Sequence, residues 1–228
     1  MSPEARVALY WAPDADDPLW HAACAWLGRD PARDAALAQP PIDGIAEITA
    51  DARLYGFHAT LKPPMRLADG QTLDGLVEAT RALAAGLPAF DLPPLAVRDL
   101  DGFLALCETE PCPELHALVN RLVEGLDAFR RPPPEAELAR RRRARLTPRQ
   151  DALLVRWGYP YVFDEWRFHL TLTRRLDAAE RARIRPAVEA HLAAALPRAR
   201  RVRDVSIYVQ PAAGVPFRLQ ARLPLRVG

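Results

Sequence analysis

Two short segments of the sequence each place a histidine and a threonine two positions apart between apolar residues. They are residues 57–61 (FHATL) and residues 168–172 (FHLTL). Side chains of an extended strand alternate between its two faces, so the histidine and threonine of each segment point to one side and the apolar residues to the other. Each segment therefore presents an imidazole that titrates near neutral pH beside a neutral hydroxyl group.

Two such pairs facing one cleft have the groups needed to open a cyclic phosphodiester. One neutral imidazole takes a proton from the attacking water, and one protonated imidazole gives a proton to the leaving oxygen. The two hydroxyls donate hydrogen bonds to the non-bridging oxygens as negative charge develops there. We therefore interpret His58, His169, Thr60 and Thr171 as catalytic residues, and the sequence does not decide which histidine is the base. We expect no metal, because HxH, HExxH and clustered carboxylates are missing from the sequence.

Further substrate-binding residues follow from the same alternation and from nearby aromatic residues. A cation on the histidine face would hold a phosphate, and a tyrosine would stack on a base or a sugar. Lys62 attracts attention because it is the single lysine of the chain. The predicted substrate-binding residues are Lys62, Tyr55, Tyr159, Tyr161, Arg167, Thr173 and Arg175.

Composition limits the class of protein. The chain has 228 residues, half of them apolar, which is enough for one large domain or two small lobes. A net charge of +2 argues against a nucleic-acid binder that acts through bulk charge. Three cysteines without a CxxC motif argue against a disulfide framework or a cysteine zinc site. Without an apolar leader or a run of about 20 apolar residues, we expect a cytoplasmic protein with no membrane contact.

The secondary-structure pattern repeats around the two motifs. The motif strands are predicted over residues 55–62, ended by the prolines at 63 and 64, and over residues 167–173. Each is followed by a predicted helix, over residues 72–85 and 177–196, and then by two strands. We therefore predict an α+β fold, duplicated and two-lobed, with antiparallel sheets lining a central cleft. The chain is expected to form a single bilobal domain whose lobes, residues 1–130 and 131–228, exchange elements.

The paired motifs resemble those of the 2H phosphoesterase superfamily, which includes LigT-like proteins and cyclic phosphodiesterases. The segments YGFHATLKPP at 55–64 and WGYPYVF at 157–163 are similar to the phosphonate-metabolism subfamily of that superfamily. The resemblance implies a metal-independent hydrolase without a cofactor, opening a cyclic phosphate of a nucleotide or sugar phosphate. Its partner would then be a small phosphorylated metabolite or nucleotide, with phosphonate breakdown as one source.

Two other functions use the same residues. One is a non-catalytic module that binds RNA or a phosphate end with the cleft and the arginine run at 140–143, although such a run is usually a solvated helix face. The other is RNA end ligation. The sequence leaves the substrate, the direction of the reaction and the oligomeric state open.

Overall fold

Strands and helices follow one another in an order that repeats along the chain. The computed structural model describes Ser2 and residues 4–227. The strands are β1 (Arg6–Trp11), β2 (Arg29–Asp30), β3 (Ala35–Ala36), β4 (Ala59–Met65), β5 (Phe90–Leu92), β6 (Leu95–Leu100), β7 (Phe103–Glu108), β8 (Leu170–Arg175), β9 (Arg200–Val202), β10 (Asp204–Gln210) and β11 (Arg218–Pro224). The helices are α1 (Pro18–Leu27), α2 (Ile45–Ile48), α3 (Ala50–Tyr55), α4 (Leu73–Ala85), α5 (Pro113–Gly125), α6 (Glu135–Arg142), α7 (Pro148–Trp157) and α8 (Ala178–Leu192).

The main sheet has seven strands in the order β11-β10-β1-β4-β8-β7-β6, and neighbouring strands run antiparallel. The two motif strands, β4 and β8, are adjacent in its middle and are joined at the pair Ala59–Leu170. The predicted α+β class with antiparallel pairing is confirmed. This pair joins the strands of both halves into one continuous sheet.

The repeated order is also present in the structure. The first copy is β4, α4, β5, β6, β7, and the second is β8, α8, β9, β10, β11. The short strands β5 and β9, which pair with each other, were not predicted as separate elements. The last two strands of each copy lie beyond the motif strand of the other copy. In the sheet, β7 and β6 of the first copy follow β8, whereas β10 and β11 of the second copy lie beyond β1 on the side of β4.

One face of the sheet is covered by helices. Val7, Leu9 and Trp11 on β1 are at most 2% exposed and share a core with apolar residues of α1, α4, α5 and α8. Ala8 and Tyr10 alternate with them and belong to a separate cluster with Tyr208 and Phe217 on the other face. Among the described residues, no helix combines the length and apolarity needed to cross a membrane.

The first motif strand differs from its predicted limits. Residues up to Tyr55 are helical, the strand begins at Ala59, and it runs through Pro63 and Pro64 to Met65. The prolines fit because the pairing of β1 with β4 slips twice, between Val7 and Leu9 and between Leu9 and Tyr10. Extra residues in such bulges have no partner in the ladder, so a missing N–H group there breaks no backbone hydrogen bond.

Candidate active site

The register of the two motif strands fixes how the four candidate catalytic residues face one another. Continuing the antiparallel pair Ala59–Leu170 by one residue in each direction puts His58 in register with Thr171 and Thr60 in register with His169. Directly opposite side chains in such a pair have Cβ atoms about 4.5–5.5 Å apart. Two imidazoles and two hydroxyls therefore alternate around one patch of the sheet.

Both imidazoles are held in the same way. The Nδ1 atom of His58 lies 2.9 Å from the carbonyl oxygen of Gly56, and the Nδ1 atom of His169 lies 2.9 Å from the carbonyl oxygen of Arg167. A carbonyl can only accept, so Nδ1 of each ring carries the hydrogen and Nε2 is the basic atom of the neutral ring. The Nε2 atom of His58 lies 3.3 Å from Oγ1 of Thr60.

The carbonyl that orients His58 depends on a glycine. Gly56 has φ +80° and ψ 175°, a conformation that a residue with a side chain rarely adopts. A Cβ atom at this position would also lie 2.7 Å from Cγ of Pro31. Gly56 therefore permits the sharp entry into β4 that points its carbonyl back at the His58 ring.

The two imidazoles have different surroundings. The ring of Tyr10 stacks on that of His58, with centroids 3.6 Å apart and planes inclined by 21°. Burial lowers the pKa of His58 to about 4; the bond to Gly56 opposes this shift, and the charge of His169 adds to it. Phe103 meets His169 by its edge, with centroids 5.8 Å apart. Burial also lowers the pKa of His169, against the effect of its bond to the Arg167 carbonyl.

A cavity of about 590 Å³ is lined by three of the four candidate catalytic residues, whereas His169 is not part of its wall. Such a volume suits a small organic ligand. Its walls bring His58, Thr60 and Thr171 together with the predicted aromatic residues Tyr55, Tyr159 and Tyr161. Within the part of the chain that the structure describes, no group of three or more histidine, cysteine or acidic residues is arranged to hold a metal.

Lys62 does not lie on the histidine face. It is 2% exposed, and its Nζ atom donates to the carbonyl oxygen of Val123 on α5, 2.9 Å away. The slip in register between Leu9 and Tyr10 adds a residue to β4 after Thr60 and reverses the alternation of side chains. The prediction of Lys62 as a substrate-binding residue is therefore wrong, and its burial under α5 lowers its pKa to about 8.

The cations and hydroxyl predicted on the second motif strand also lie elsewhere. Oγ1 of the buried Thr173 accepts the N–H of Leu104, 3.0 Å away, where the pairing of β7 with β8 slips. The guanidinium of Arg175 donates to the carbonyl of Asp101 in the turn between β6 and β7. These two residues stabilise the β6–β7 hairpin and do not line the cavity. Arg167 is exposed, and it contributes to the site through its main-chain carbonyl oxygen, which accepts the hydrogen bond from Nδ1 of His169.

Four charged or aromatic residues that line the cavity were not among the residues predicted to bind the substrate. They are Arg6, Tyr10, Arg140 and Arg141. Arg6 and Tyr10 lie on one face of β1, but nothing in the sequence indicated that β1 pairs with β4. The arginine run was interpreted as a solvated helix face or, in the alternative function, as a binding surface for RNA or a phosphate end, and two of its members line the cavity wall.

A family model described as "Protein of unknown function (DUF1045)" matches residues 60–218, a range that begins at Thr60 within the first motif and includes the whole of the second. The chain belongs to this family. Two curated relatives of this DUF1045 protein are both named ribose 1,5-bisphosphate phosphokinase PhnN. The one from Janthinobacterium sp. (strain Marseille) is 44% identical over 96% of the chain, and the one from Laribacter hongkongensis (strain HLHK9) is 35% identical over 94%. The chain spans about half the length of each relative.

Solved structures that are similar to the DUF1045 chain include two of E. coli LigT. The complex with NADP+ aligns with a TM-score of 0.48 at 16% identity, covering 99% of both chains. The complex with phosphate aligns with a TM-score of 0.47 at 14% identity, also covering 99% of both. A structure described as a phosphoesterase aligns with a TM-score of 0.44 at 13% identity, covering 97% of this chain and 98% of its own.

Proposed function

We propose that this protein is a phosphodiesterase that opens a cyclic phosphate by acid–base catalysis with two histidines. One observation carries the proposal. The pair Ala59–Leu170 brings the two motifs together on adjacent strands, and a carbonyl beside each Nδ1 leaves each Nε2 as the nitrogen available for proton transfer. Unrelated structural histidines would have no reason to share this arrangement twice.

The proposed reaction moves two protons. A water oxygen attacks phosphorus while Nε2 of one imidazole takes a proton from it. The bond between phosphorus and one ring oxygen breaks, and that oxygen receives a proton from Nε2–H of the other imidazole. The products are a phosphomonoester and a free hydroxyl group. Thr60 and Thr171 donate to the non-bridging oxygens, where negative charge grows in the transition state.

We assign the base to His58 and the acid to His169. The stacked Tyr10 ring and the burial around His58 keep its imidazole neutral, as a base requires. His169 has no such stacked partner in its contact with Phe103, because the two ring planes are inclined by 63°. Proton transfer of this kind contributes about 10²–10⁴ in rate.

The relatives' name suggests the class of substrate. It contains ribose 1,5-bisphosphate, a compound that forms when the 1,2-cyclic phosphate of ribose 5-phosphate opens at its 2-oxygen. The phosphate-binding loop GxxxxGK[ST] of many kinases needs a lysine, and the single lysine of this chain lies in LKPP. We therefore propose ring opening before phosphorylation, on a sugar phosphate or a nucleotide, with phosphonate breakdown as the source that the motif resemblance implies.

The proposed activity can be tested with a small set of cyclic phosphates. Incubation with the 1,2-cyclic phosphate of ribose 5-phosphate or with 2′,3′-cyclic nucleotides should convert the ring phosphorus signal in NMR to that of a monoester. Because imidazoles move both protons, conversion should continue in EDTA. Unchanged rings for every compound, with a folded protein, would contradict the proposal.

The pH dependence should follow the two imidazoles. Activity needs neutral His58 and protonated His169, so kcat/KM should rise as the pH passes about 4 and fall above the pKa of His169, which burial holds below 6.5. The optimum is therefore expected on the acid side of neutrality. Protonation below pH 6.5 also favours the unfolded chain, whose His58 has the higher pKa, so circular dichroism must show that the protein is folded at each pH. An optimum above pH 8 would refute the assignment.

Binding of RNA ends without catalysis is the second candidate function. Arg6, Arg140 and Arg141 favour it, because they make the cavity wall basic. The two candidates differ in turnover, since a binding module would leave every cyclic phosphate intact.

A further inference from the structure

The cavity wall contributed by α6 carries more positive charge than its carboxylates neutralise. Three guanidinium groups surround Glu137, with N–O distances of 2.8 Å for Arg141, 3.7 Å for Arg66 and 3.9 Å for Arg140. Arg66 also lies 3.3 Å from Glu4. In the described part of the chain, the three guanidinium groups together have only the two carboxylates of Glu137 and Glu4 as partners. The side chain of Arg140 is 66% exposed, so it can turn towards a ligand.

Arg6 adds a cation from the floor of the same cavity. Its Nε donates to Oε1 of Gln210, 2.7 Å away, and its guanidinium lies 5.4 Å from the ring centroid of Phe217. Among the described residues it has no carboxylate within 4.0 Å, so its terminal nitrogens have no anionic partner there. Arg6 lies four residues before Tyr10, and the rise of a strand places their Cα atoms about 13 Å apart. Since Tyr10 stacks on His58, Arg6 lies towards the far end of the cavity.

We propose that Arg6, Arg140 and Arg141 form a subsite for a second phosphate, a monoester that does not react. Guanidinium groups match phosphate oxygens in geometry and stay charged throughout the pH range, so they bind the anion without taking part in proton transfer. Arg141 is already oriented, with its guanidinium 5.1 Å from the ring centroid of Tyr159. The inference rests on the proposed function and deepens it, since the substrate would be a cyclic phosphate that carries a separate phosphomonoester.

The chain offers a matched pair of variants for the test. Arg140 lines the cavity, whereas Arg143, three residues later in the same run, is exposed and is not among the residues that form its wall. Arg140→Gln and Arg143→Gln remove the same charge from the same region. The readout is kcat/KM for adenosine 2′,3′-cyclic phosphate with and without a 5′-phosphate.

We expect the unaltered protein to prefer the 5′-phosphorylated compound by at least about tenfold, the scale of one charge-assisted hydrogen bond. Arg140→Gln should lower kcat/KM about tenfold for the 5′-phosphorylated compound alone, and Arg6→Gln should have the same effect. Arg143→Gln should leave both compounds unchanged. Equal use of the two compounds by the unaltered protein, or equal losses in Arg140→Gln and Arg143→Gln, would overturn the subsite while leaving the proposed function intact.

Equilibrium binding separates the subsite from catalysis. If neither adenosine compound is hydrolysed, the affinities for adenosine 5′-phosphate and adenosine judge the subsite without catalysis, and the proposed function fails only if the sugar cyclic phosphate is left intact as well. A preference for the phosphorylated compound that Arg140→Gln reduces about tenfold would support it. Equal affinities would overturn it. The subsite would also be overturned if affinity increased with oligonucleotide length and fell equally in both arginine variants. That result would indicate an extended RNA-binding surface.

Discussion

Replacing either histidine of the paired motifs should nearly abolish ring opening. For His58→Ala and His169→Ala we expect kcat/KM to fall by about 10²–10⁴, because each change removes one of the two proton transfers. The effects should not add in the double variant, since a reaction that lacks one transfer gains little from the other. Steady-state kinetics with the best cyclic phosphate of the panel provide the measurement.

The controls for this prediction separate chemistry from folding. His21, an exposed residue of α1, gives the matched variant His21→Ala, which should keep full activity. Loss of the His58 ring leaves Tyr10 without its stacking partner, so His58→Asn serves as a second variant that fills more of the space. If folded forms of both His58 variants hydrolyse the ring at the original rate, the two-histidine mechanism is wrong.

Removing the threonine hydroxyls should give the second-largest loss. Thr60→Val and Thr171→Val keep the shape and strand preference of the side chain but delete the donor to the phosphoryl oxygens. Loss of one preorganised donor of this kind typically costs about 10²–10³ in kcat. The losses should appear in kcat more than in KM, because the hydroxyls act on charge that develops during the reaction.

Thr173 provides the control on the same strand. Its hydroxyl accepts the N–H of Leu104 in the buried pairing of β7 with β8. Thr173→Val should therefore lower the free energy of unfolding by about 1 kcal/mol while kcat stays within a few-fold. The assignment fails if Thr173→Val lowers kcat as much as Thr171→Val does, because the loss would then follow from strand disruption.

The core of the candidate site could be predicted because its signal is local. Alternation within residues 57–61 and 168–172 separates the imidazoles and hydroxyls from the apolar residues, and the repeated order of elements makes the two segments equivalent. Tyr55, Tyr159 and Tyr161, chosen for their proximity to the motifs, do line the cavity. The α+β class followed from the same periodicities.

The remaining features depend on contacts that the sequence does not encode locally. A bulge carries Lys62 to the helical side of the sheet, and another turns Thr173 towards the backbone of β7. Both errors come from extending strict alternation past a register slip. Arg6 was missed, and Arg140 was considered only for the alternative binding function, because their positions depend on how β1 and α6 pack around the cavity, which is a property of the tertiary structure.

The exchange of strands between the two copies has a consequence for how the chain is made. β1 lies between β4 and β10, with Arg6 opposite Gln210, so one edge of β1 stays unpaired until β10, much later in the sequence, has been synthesised. Contacts so distant in sequence slow folding, and an open strand edge invites pairing with other chains. Nascent chains of this protein should therefore depend on chaperones until β10 emerges.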